Sequence, residues 1–496
     1  MATQKTTERL IVGPFNRVEG DLEVQLDVAN GQVQSARVNS TMYRGFEQIL
    51  QNKDPHDALV YVPRICGICS VSQSVAAARA LADAMQVVPP ANGQRVINLM
   101  LATENLADHL THFYLFFMPD FARPVYASQP WFATVQQRFA AQAGEHARLA
   151  LMARQRWFTL MGTLGGKWPH TQAIEPGGSS RSIEPQERIR LLAKLREFRG
   201  FLEQTLFAAP LEEIAALDSL AALDQWSAKA APEQGDFRLF LTIARQTGLA
   251  QLGRGPGLYM SYGAYRLDAE QYTFAPGIWD ATDPAGTASW AALDTASITE
   301  DSCHAWYADE ARAAHPFKGK TLPMMDKPDA YTWNKAPRLA GRVLETGALA
   351  RQLVAGHPLI RDVIAQQGSS VLARVLARLL ELALVLPHME NWLRALLPNE
   401  PYFTQAELPD SATGVGMTEA ARGSLGHWLV VRNGKIANYQ IVAPTSWNFS
   451  PRDTQGQPGA LEAALVGATI LPGEDTPVAV QHIVRSFDPC MVCTVH

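Results

Sequence analysis

Alternating apolar and polar residues mark two stretches of the chain, one near each end. Residues 8–42 alternate in L-E-V-Q-L-D-V and break at N-G, a dipeptide typical of tight hairpin turns. A second stretch, L-G-H-W-L-V-V-R-N-G-K-I-A-N-Y-Q-I-V, alternates around another N-G before the C-terminus. Both patterns predict antiparallel β-hairpins.

Between these hairpins the apolar spacing is helical. Two long runs, S-V-S-Q-S-V-A-A-A-R-A-L-A-D-A-M and R-V-I-N-L-M-L-A-T-E-N-L-A-D-H-L-T-H-F-Y-L-F-F-M, predict helices bounded by prolines, and the second is apolar on nearly every face. Further helices are predicted over 135–160, 183–217 and 338–398, whereas 218–335 is predicted to be irregular with short strands. The fold class predicted is α+β, a long helical bundle core with peripheral antiparallel β-hairpins and sheets.

Composition narrows the class of protein only a little. The 496 residues are 47% hydrophobic and 18% charged, enough to bury a large core, and the net charge of −5 gives no basic excess for nucleic acid. No run of about 18 apolar residues predicts a membrane span, and M-A-T-Q-K-T-T-E-R-L is unlike a signal peptide. These patterns predict a cytoplasmic protein.

Two Cys-x-x-Cys pairs carry the candidate chemistry. Cys66 and Cys69 stand near one end of the chain and Cys490 and Cys493 near the other, which leaves Cys303 as an ordinary thiol. Pairs at this spacing bind metals through thiolates, and the spacing alone leaves structural zinc, iron and nickel open. Because one site would draw on both ends, we expect residues 1–496 to form a single interlocked domain.

The residues around the cysteines resemble a known family. The order of R-V-E-G (17–20), R-G-F-E (44–47), R-I-C-G-I-C (64–69) and D-P-C-M-V-C-T-V-H (488–496) resembles the large subunit of nickel-iron hydrogenases. The resemblance continues through D-H-L-T-H-F-Y, G-G-K-W-P-H, A-R-G-S-L-G-H-W and A-P-T-S-W-N, and so spans essentially the whole chain. It implies that family's fold and heterolytic cleavage of H2, and it weakens the zinc interpretation.

The resemblance also implies how the cysteines bind metal. All four sulfurs would bind nickel, with Cys69 and Cys493 bridging to an iron that carries carbon monoxide and two cyanide ligands, and with Cys66 and Cys490 terminal on nickel. The thiolate of Cys490 is the expected proton acceptor, and Glu19 of R-V-E-G would relay the proton outward.

Further residues are implied around the open face of the metals. Arg422 would lie over that face, where Asp108 and Asp488 would orient it, and Thr445 would donate to a cyanide. An alternative makes Arg422 the base, but arginine almost never loses its proton, so the thiolate is favoured. Asp108 and His112, at i and i+4, could instead be a hydrogen-bonded core pair.

A second ion is implied near the C-terminus. The family's pattern places it on His496, Glu47 and the backbone carbonyl of Ile441, usually as magnesium, although histidine also suits iron or zinc. His170 would lie near an iron-sulfur cluster of a partner, or would be an ordinary loop histidine.

One departure from the common catalytic pattern indicates a branch of the family. Gln73 stands where a histidine usually follows the first cysteine pair, and Ile68 and Phe116 stand where smaller residues usually line the gas channel. These residues resemble the hydrogen-sensing, regulatory branch, which implies slow turnover and oxygen tolerance. The alternative is an energy-converting uptake enzyme in which Gln73 is incidental.

The chain lacks a route for electrons. No further cysteine cluster is present for iron-sulfur centres, so we expect a small subunit that carries them, and the sensing branch would add a histidine kinase. A third hypothesis, a metal-free or zinc-binding scaffold without activity, is disfavoured because all four cysteines and Glu19 are present.

Overall fold

The computed structural model describes residues 8–268, 270–282, 288–308, 312–474 and 476–496. Its strands are β1 (Glu8–Val12), β2 (Leu22–Ala29), β3 (Gln32–Ser40), β4 (Ile174–Glu175), β5 (Gly178–Ser179), β6 (Leu258–Ser261), β7 (Ala264–Arg266), β8 (Tyr272–Phe274), β9 (Gly277–Asp280), β10 (Ser289–Ala291), β11 (Ile298–Asp301), β12 (Ala336–Leu339), β13 (Ala412–Ala420), β14 (Gly423–Arg432) and β15 (Lys435–Val442). Its α-helices are α1 (Phe46–Leu50), α2 (Ala58–Tyr61), α3 (Ser70–Met85), α4 (Ala91–Thr111), α5 (Phe132–Phe139), α6 (Glu145–Trp157), α7 (Thr159–Gly165), α8 (Pro185–Phe201), α9 (Leu211–Ala215), α10 (Leu220–Ala228), α11 (Asp236–Gln246), α12 (Ala348–Ala355), α13 (Pro358–Gln367), α14 (Val371–Arg394), α15 (Pro444–Asn448), α16 (Ala460–Leu465), α17 (Val478–Ser486) and α18 (Met491–Thr494).

The N-terminal strands form an antiparallel sheet in the order β1-β2-β3. The predicted hairpin is β2 and β3, joined at Asn30 and Gly31, and β1 adds a third strand. Burial alternates along β2, as its sequence pattern predicts. The sheet contacts α16 through β3. There Glu462 accepts a hydrogen bond of 3.0 Å from the backbone N–H of Val38.

A second antiparallel sheet, β13-β14-β15, supports the helix that follows the first cysteine pair. The predicted hairpin β14–β15 is confirmed, and β13, which the sequence pattern does not mark, completes the sheet. Gly414 and Gly416 lie on one face of β13, against α3. A Cβ atom on Gly416 would lie 1.9 Å from the carbonyl oxygen of Ala76, so only glycine permits this approach.

Long buried helices form the middle of the molecule. α14 has 24 residues, about 36 Å at 1.5 Å per residue, and packs against α4, α8, α9, α12 and α17. Ser370 caps its N-terminus by accepting from Ala373 N at 3.2 Å. α4 is buried on nearly every face, as predicted, and continues into a π-helical segment, His112–Phe117. The combination of helical core and antiparallel sheets confirms the α+β prediction.

The predicted helical ranges are correct in type but too long. The range 135–160 covers parts of α5 and α6 with a break between them, and 183–217 contains α8, a π-helical turn and α9. The range 338–398 begins in β12 and divides into α12, α13 and α14, because Gly356 and Gly368, both at positive φ, end the first two helices. The range 218–335 contains short strands, β6 to β11, as predicted, but it also contains α10 and α11, so the prediction of irregular structure is wrong over these two helices. The apolar spacing of these two helices is short, and the loop sequences around them interrupt it, so the sequence pattern does not indicate the helices.

Among the described residues, no helix is both long and apolar enough to cross a membrane.

Candidate metal centre

The two cysteine pairs meet in the interior. Cys66 Sγ lies 3.4 Å from Cys490 Sγ, Cys69 Sγ lies 3.0 Å from Cys493 Sγ, and the sulfurs of Cys490 and Cys493 are 3.1 Å apart. All four sulfurs lie within 4.8 Å of one another, and none of the four residues is more than 5% exposed. Metal–sulfur bonds of about 2.3 Å place ligands of one ion about 3–4 Å apart, so the four thiols fit a shared metal centre.

Each pair stands where a loop turns into a helix. Cys69 is the N-cap residue of α3, and Cys66 precedes it in the loop after the short 3₁₀ turn Val62–Arg64. Cys490 is the N-cap residue of α18, and Cys493 lies within that helix. Thiolates are favoured near helix N-termini by the positive end of the helix dipole. The pKa of Cys66 is well below its usual range, because the thiols of Cys490, Cys493 and Cys69 hydrogen-bond to it.

Arg44 joins the two cysteine loops. Its guanidinium donates to the carbonyl oxygens of Ile65, Arg64 (3.2 Å) and Val492 (3.3 Å). Its backbone N–H donates to Val495 O at 3.1 Å. The sequence marks Arg44 only as part of R-G-F-E; its function as a clamp between the loops was not predicted.

The R-V-E-G segment lies against the C-terminal pair. Glu19 forms a parallel β-bridge with Cys490, in which Met491 N donates to Glu19 O at 2.7 Å. Gly20 has φ +80, and a Cβ there would lie 3.0 Å from Val492 N, so the segment requires a glycine to pass this closely. Glu19 is half-buried, and burial followed by the charge of Cys66 raises its pKa.

Arg422 bridges two carboxylates above the cysteines. Its guanidinium donates to Asp108 at 2.9 Å and to Asp488 at 3.2 Å, and all three side chains are buried. Burial lowers the pKa of Arg422, but the charges of Asp488, Asp108 and Cys490 outweigh burial and hold it well above its usual value. Burial raises the pKa of Asp108 well above normal. Burial also raises the pKa of Asp488, but the charges of Arg422, His112 and Arg378 together outweigh burial and lower its pKa. Within the described chain, Arg422 Nε and Asp488 Oδ2 have no hydrogen-bond partner.

Thr445 and Gln73 contact the cysteines through the backbone. Thr445 Oγ1 accepts from Cys490 N at 3.1 Å, which leaves its hydroxyl proton available to a further acceptor. Gln73 N donates to Cys69 O at 3.1 Å, and Gln73 Oε1 lies 2.8 Å from Nε2 of His427. Burial lowers the pKa of His427 to about 3, so its neutral ring donates to this oxygen and accepts from Tyr439. These bonds fix the orientation of the Gln73 amide.

The residues predicted to hold a second ion also meet. Nδ1 of His496 lies 2.7 Å from Cys493 O and therefore carries the proton, so in the neutral ring Nε2 offers a lone pair 3.2 Å from Glu47 Oε1. Burial raises the pKa of Glu47, but the ammonium of Lys335 and the hydrogen bond and charge of a protonated His496 outweigh burial, and the pKa is about 2. A metal ion would take the place of that Nε2 proton, because the carboxylate and the neutral ring then offer the ion two facing electron pairs. Ile441 contacts Glu47 through its N–H, at 2.8 Å.

Five other candidate residues lie outside the set of four thiols. His112 bonds to the carbonyl of Arg485 at 2.7 Å, whereas Asp108 bonds to Arg422, so the core-pair alternative is wrong. His170 is partly buried and bonds to Pro63 O at 3.1 Å. Ile68 and Phe116 are also partly buried. Cys303 lies apart from the four cysteines, and burial raises the pKa of its thiol to about 12.

Comparisons with known proteins agree with this geometry. The family of nickel-dependent hydrogenases matches residues 44–134 and 142–496. The periplasmic [NiFeSe] hydrogenase large subunit of Desulfomicrobium baculatum is 30% identical over 98% of this chain and 95% of its own length. The uptake hydrogenase large subunit of Cupriavidus necator is 26% identical over 98% and 95%. The reduced Ni-Fe-Se hydrogenase of D. vulgaris Hildenborough superposes with a TM-score of 0.84 at 31% identity, covering 99% of this chain and all of that one.

A buried set of four thiols drawn from both ends of an α+β chain defines a metal-binding protein. The chain belongs to the nickel-dependent hydrogenase family. It is a hydrogenase large subunit, an oxidoreductase that acts on H2, as the motifs around the cysteines predict.

Proposed function

We propose that this chain cleaves H2 heterolytically at a nickel-iron centre held by Cys66, Cys69, Cys490 and Cys493. The convergence of four buried thiols from both ends of the chain is the observation that carries the proposal. Cys69 and Cys493 would bridge the two metals, and the iron would carry one carbon monoxide and two cyanide ligands. When bound, this group supplies the hydrogen-binding and redox chemistry.

The protein's own residues would move the proton. Cys490 is fully buried, and its thiolate is the proposed acceptor. Glu19 is half-buried, and burial together with the charge of Cys66 raises the pKa of its carboxyl group, which supports a role for Glu19 in relaying the proton toward solvent. A base must lie within hydrogen-bond reach of the reacting atom, and a bound thiolate meets that condition.

Arg422 would act by its charge rather than as a base. Its raised pKa keeps the guanidinium protonated between Asp108 and Asp488, which supports an electrostatic role. Thr445, whose hydroxyl proton is not used by Cys490, would donate to one cyanide. Glu47, His496 and the carbonyl of Ile441 would hold magnesium or another divalent ion.

An infrared spectrum of the anaerobically purified complex tests the centre. One carbonyl band and two cyanide bands, shifting under H2, are expected. Their absence from metal-loaded protein would return the four cysteines to structural zinc. A Cys490→Ser variant should lose H2 cleavage, whereas Cys303→Ser, at a thiol remote from the cluster, should keep both the bands and the activity.

The finer proposal is that the chain is a hydrogen sensor controlling hydrogenase gene expression. Gln73 supports it, because an amide fixed by His427 replaces the usual histidine beside Cys69. Ile68 and Phe116 support a narrow gas channel, because smaller residues usually stand at these two positions. The name of one relative, the uptake hydrogenase large subunit of Cupriavidus necator, favours the alternative, an energy-converting uptake enzyme.

Two measurements separate sensing from uptake. Deletion of the gene should abolish H2-dependent transcription of other hydrogenase genes if the chain is a sensor, and should leave transcription intact while lowering H2 uptake if it is not. The double change Ile68→Val and Phe116→Leu should admit oxygen and inactivate the enzyme in air. Unchanged oxygen tolerance would contradict the channel argument.

We further propose a small subunit with iron-sulfur clusters as partner, and a histidine kinase if the chain is a sensor. The relatives are large subunits or large chains by name, which supports a small subunit. The contact of Glu19 with Cys490 supports one interlocked domain. We also propose a cytoplasmic location. Expressed alone, the chain should be metal-free or inactive, so a fully active monomer would contradict this proposal.

A further inference from the structure

Glu104, on α4, is a fully buried carboxylate that no motif marks. It accepts five hydrogen bonds: from Val71 N at 2.8 Å, Ser72 N at 2.9 Å, Ser72 Oγ at 3.0 Å, Trp168 Nε1 at 3.1 Å and Ser70 Oγ at 3.4 Å. All five donors are neutral. Among the described residues, no lysine or arginine forms an ion pair with it.

The position of these donors explains why a buried carboxylate stands here. Val71 and Ser72 are the second and third residues of α3, whose N–H groups are normally satisfied by the side chain of the N-cap residue. Here the N-cap residue is Cys69, and its sulfur faces the other three cysteines; in the described structure it makes no cap hydrogen bond. Glu104 reaches across from α4 and supplies the missing cap.

The same helix also holds the arginine above the cysteines. Asp108 lies one turn after Glu104 on α4 and bonds to Arg422. Glu104 therefore fixes the helix that begins at Cys69, and Asp108 fixes Arg422. Trp168 extends the network to the loop that carries His170, whose N–H donates to Ser70 Oγ at 3.4 Å.

We infer that Glu104 is a positioning residue for the metal centre: it caps α3 in place of Cys69, orients that thiolate, and adds negative charge beside it. This inference rests on the proposed nickel-iron centre. Burial raises the pKa of Glu104 to about 7, while the N–H groups of Val71 and Ser72 and the indole of Trp168 act in the opposite direction. The α3 dipole also favours the ionised form.

Glu104→Gln in the mature complex is the test, because it removes the charge and turns an NH2 group toward N–H donors. Losing a carboxylate that bonds to the residues following Cys69 should leave less electron density for back-donation at the proposed iron, so the carbonyl band should move to higher wavenumber. H2 oxidation should fall by about 10–100-fold, the usual cost of losing a residue that orients a metal ligand. Nickel and iron content are measured alongside.

Asp236→Asn is the matched control. Asp236 is an equally buried carboxylate, bonded to Tyr114, Arg138 and His146 rather than to the cysteine segments. The Asp236→Asn change should lower thermal stability without moving the carbonyl band.

The result that would overturn the inference is a metal-loaded Glu104→Gln complex with wild-type bands. If that variant does not take up metal, Glu104→Asp decides, since its shortened carboxylate cannot reach both N–H groups: a smaller shift in the same direction supports the inference, and no shift overturns it. Missing bands in the wild-type complex would instead contradict the nickel-iron centre itself.

Discussion

Replacing Gly416 by alanine should force β13 and α3 apart and disturb the metal centre that α3 holds. The added Cβ would lie 1.9 Å from Ala76 O and 2.4 Å from Ala80 N, whereas ordinary contact begins at 3.4 Å. Both neighbours are backbone atoms of α3, so no side chain can move aside, and the strand and the helix must separate by about 1.5 Å. Overpacking of this kind costs about 1–3 kcal/mol.

The displacement should also reach the cysteine pair. Ala76 lies seven residues after Cys69 on α3, about 10 Å along the helix. Catalytic groups must be held to about 0.5 Å, and a misplacement of about 1 Å can cost about 100-fold in rate. We therefore expect a loss of about 10–100-fold in H2 oxidation, together with a lower melting temperature and lower nickel content.

Gly162→Ala is the control for the loss of a glycine. Gly162 lies in α7, and apart from its chain neighbours and the backbone of its own helix no heavy atom of the described chain lies within 4 Å of a Cβ placed there. Alanine should stabilise this helix by about 0.5–1 kcal/mol and leave activity unchanged. The melting temperature, nickel content and H2 oxidation of the two variants are compared in the purified complex. Equal values for both would refute the argument that the contact between β13 and α3 positions Cys69.

Three further changes test other parts of the structure. Asp488→Asn leaves Arg422 with one charged partner and should cost about 3–5 kcal/mol of stability, as unfolding in urea would measure. Burial raises the pKa of Glu462 to about 7, against about 4.3 in the unfolded chain, so the folded chain retains that proton and the free energy of unfolding falls by roughly 4 kcal/mol as pH rises through this interval. Glu462→Gln should remove that decline, as unfolding measured from about pH 4 to about pH 8 would show. His496→Ala should reduce the second divalent ion to background and lower nickel as well, by elemental analysis; full retention of both would contradict the site.

Much of the metal centre could be predicted from the sequence because its ligands stand at a spacing that is typical of metal sites. The sequence alone shows the Cys-x-x-Cys pairs and the motifs around Glu19, Arg422 and His496. The structure brings these residues together. The supporting contacts could not be predicted in this way. Arg44 bonds to carbonyl oxygens and Glu104 to backbone N–H groups, and backbone atoms are common to every residue type.

The fold shows the same limit. The hairpins and the buried helix α4 follow from their periodicity. β13 was missed because Gly414 and Gly416 break the apolar alternation, and the reason for these glycines is α3, which is distant in sequence. Glycines that allow a segment distant in sequence to come close leave no pattern in the local sequence.

The predicted loss of both ions in His496→Ala follows from how R-G-F-E joins the two sites. Arg44 clamps the loops of both cysteine pairs, and three residues later Glu47 faces His496 Nε2. His496 in turn bonds through Nδ1 to the carbonyl of Cys493. A cation between Glu47 and His496 would therefore hold the α18 turn that carries Cys493, so its loss should loosen that thiolate and weaken nickel binding, although His496 is no ligand of nickel.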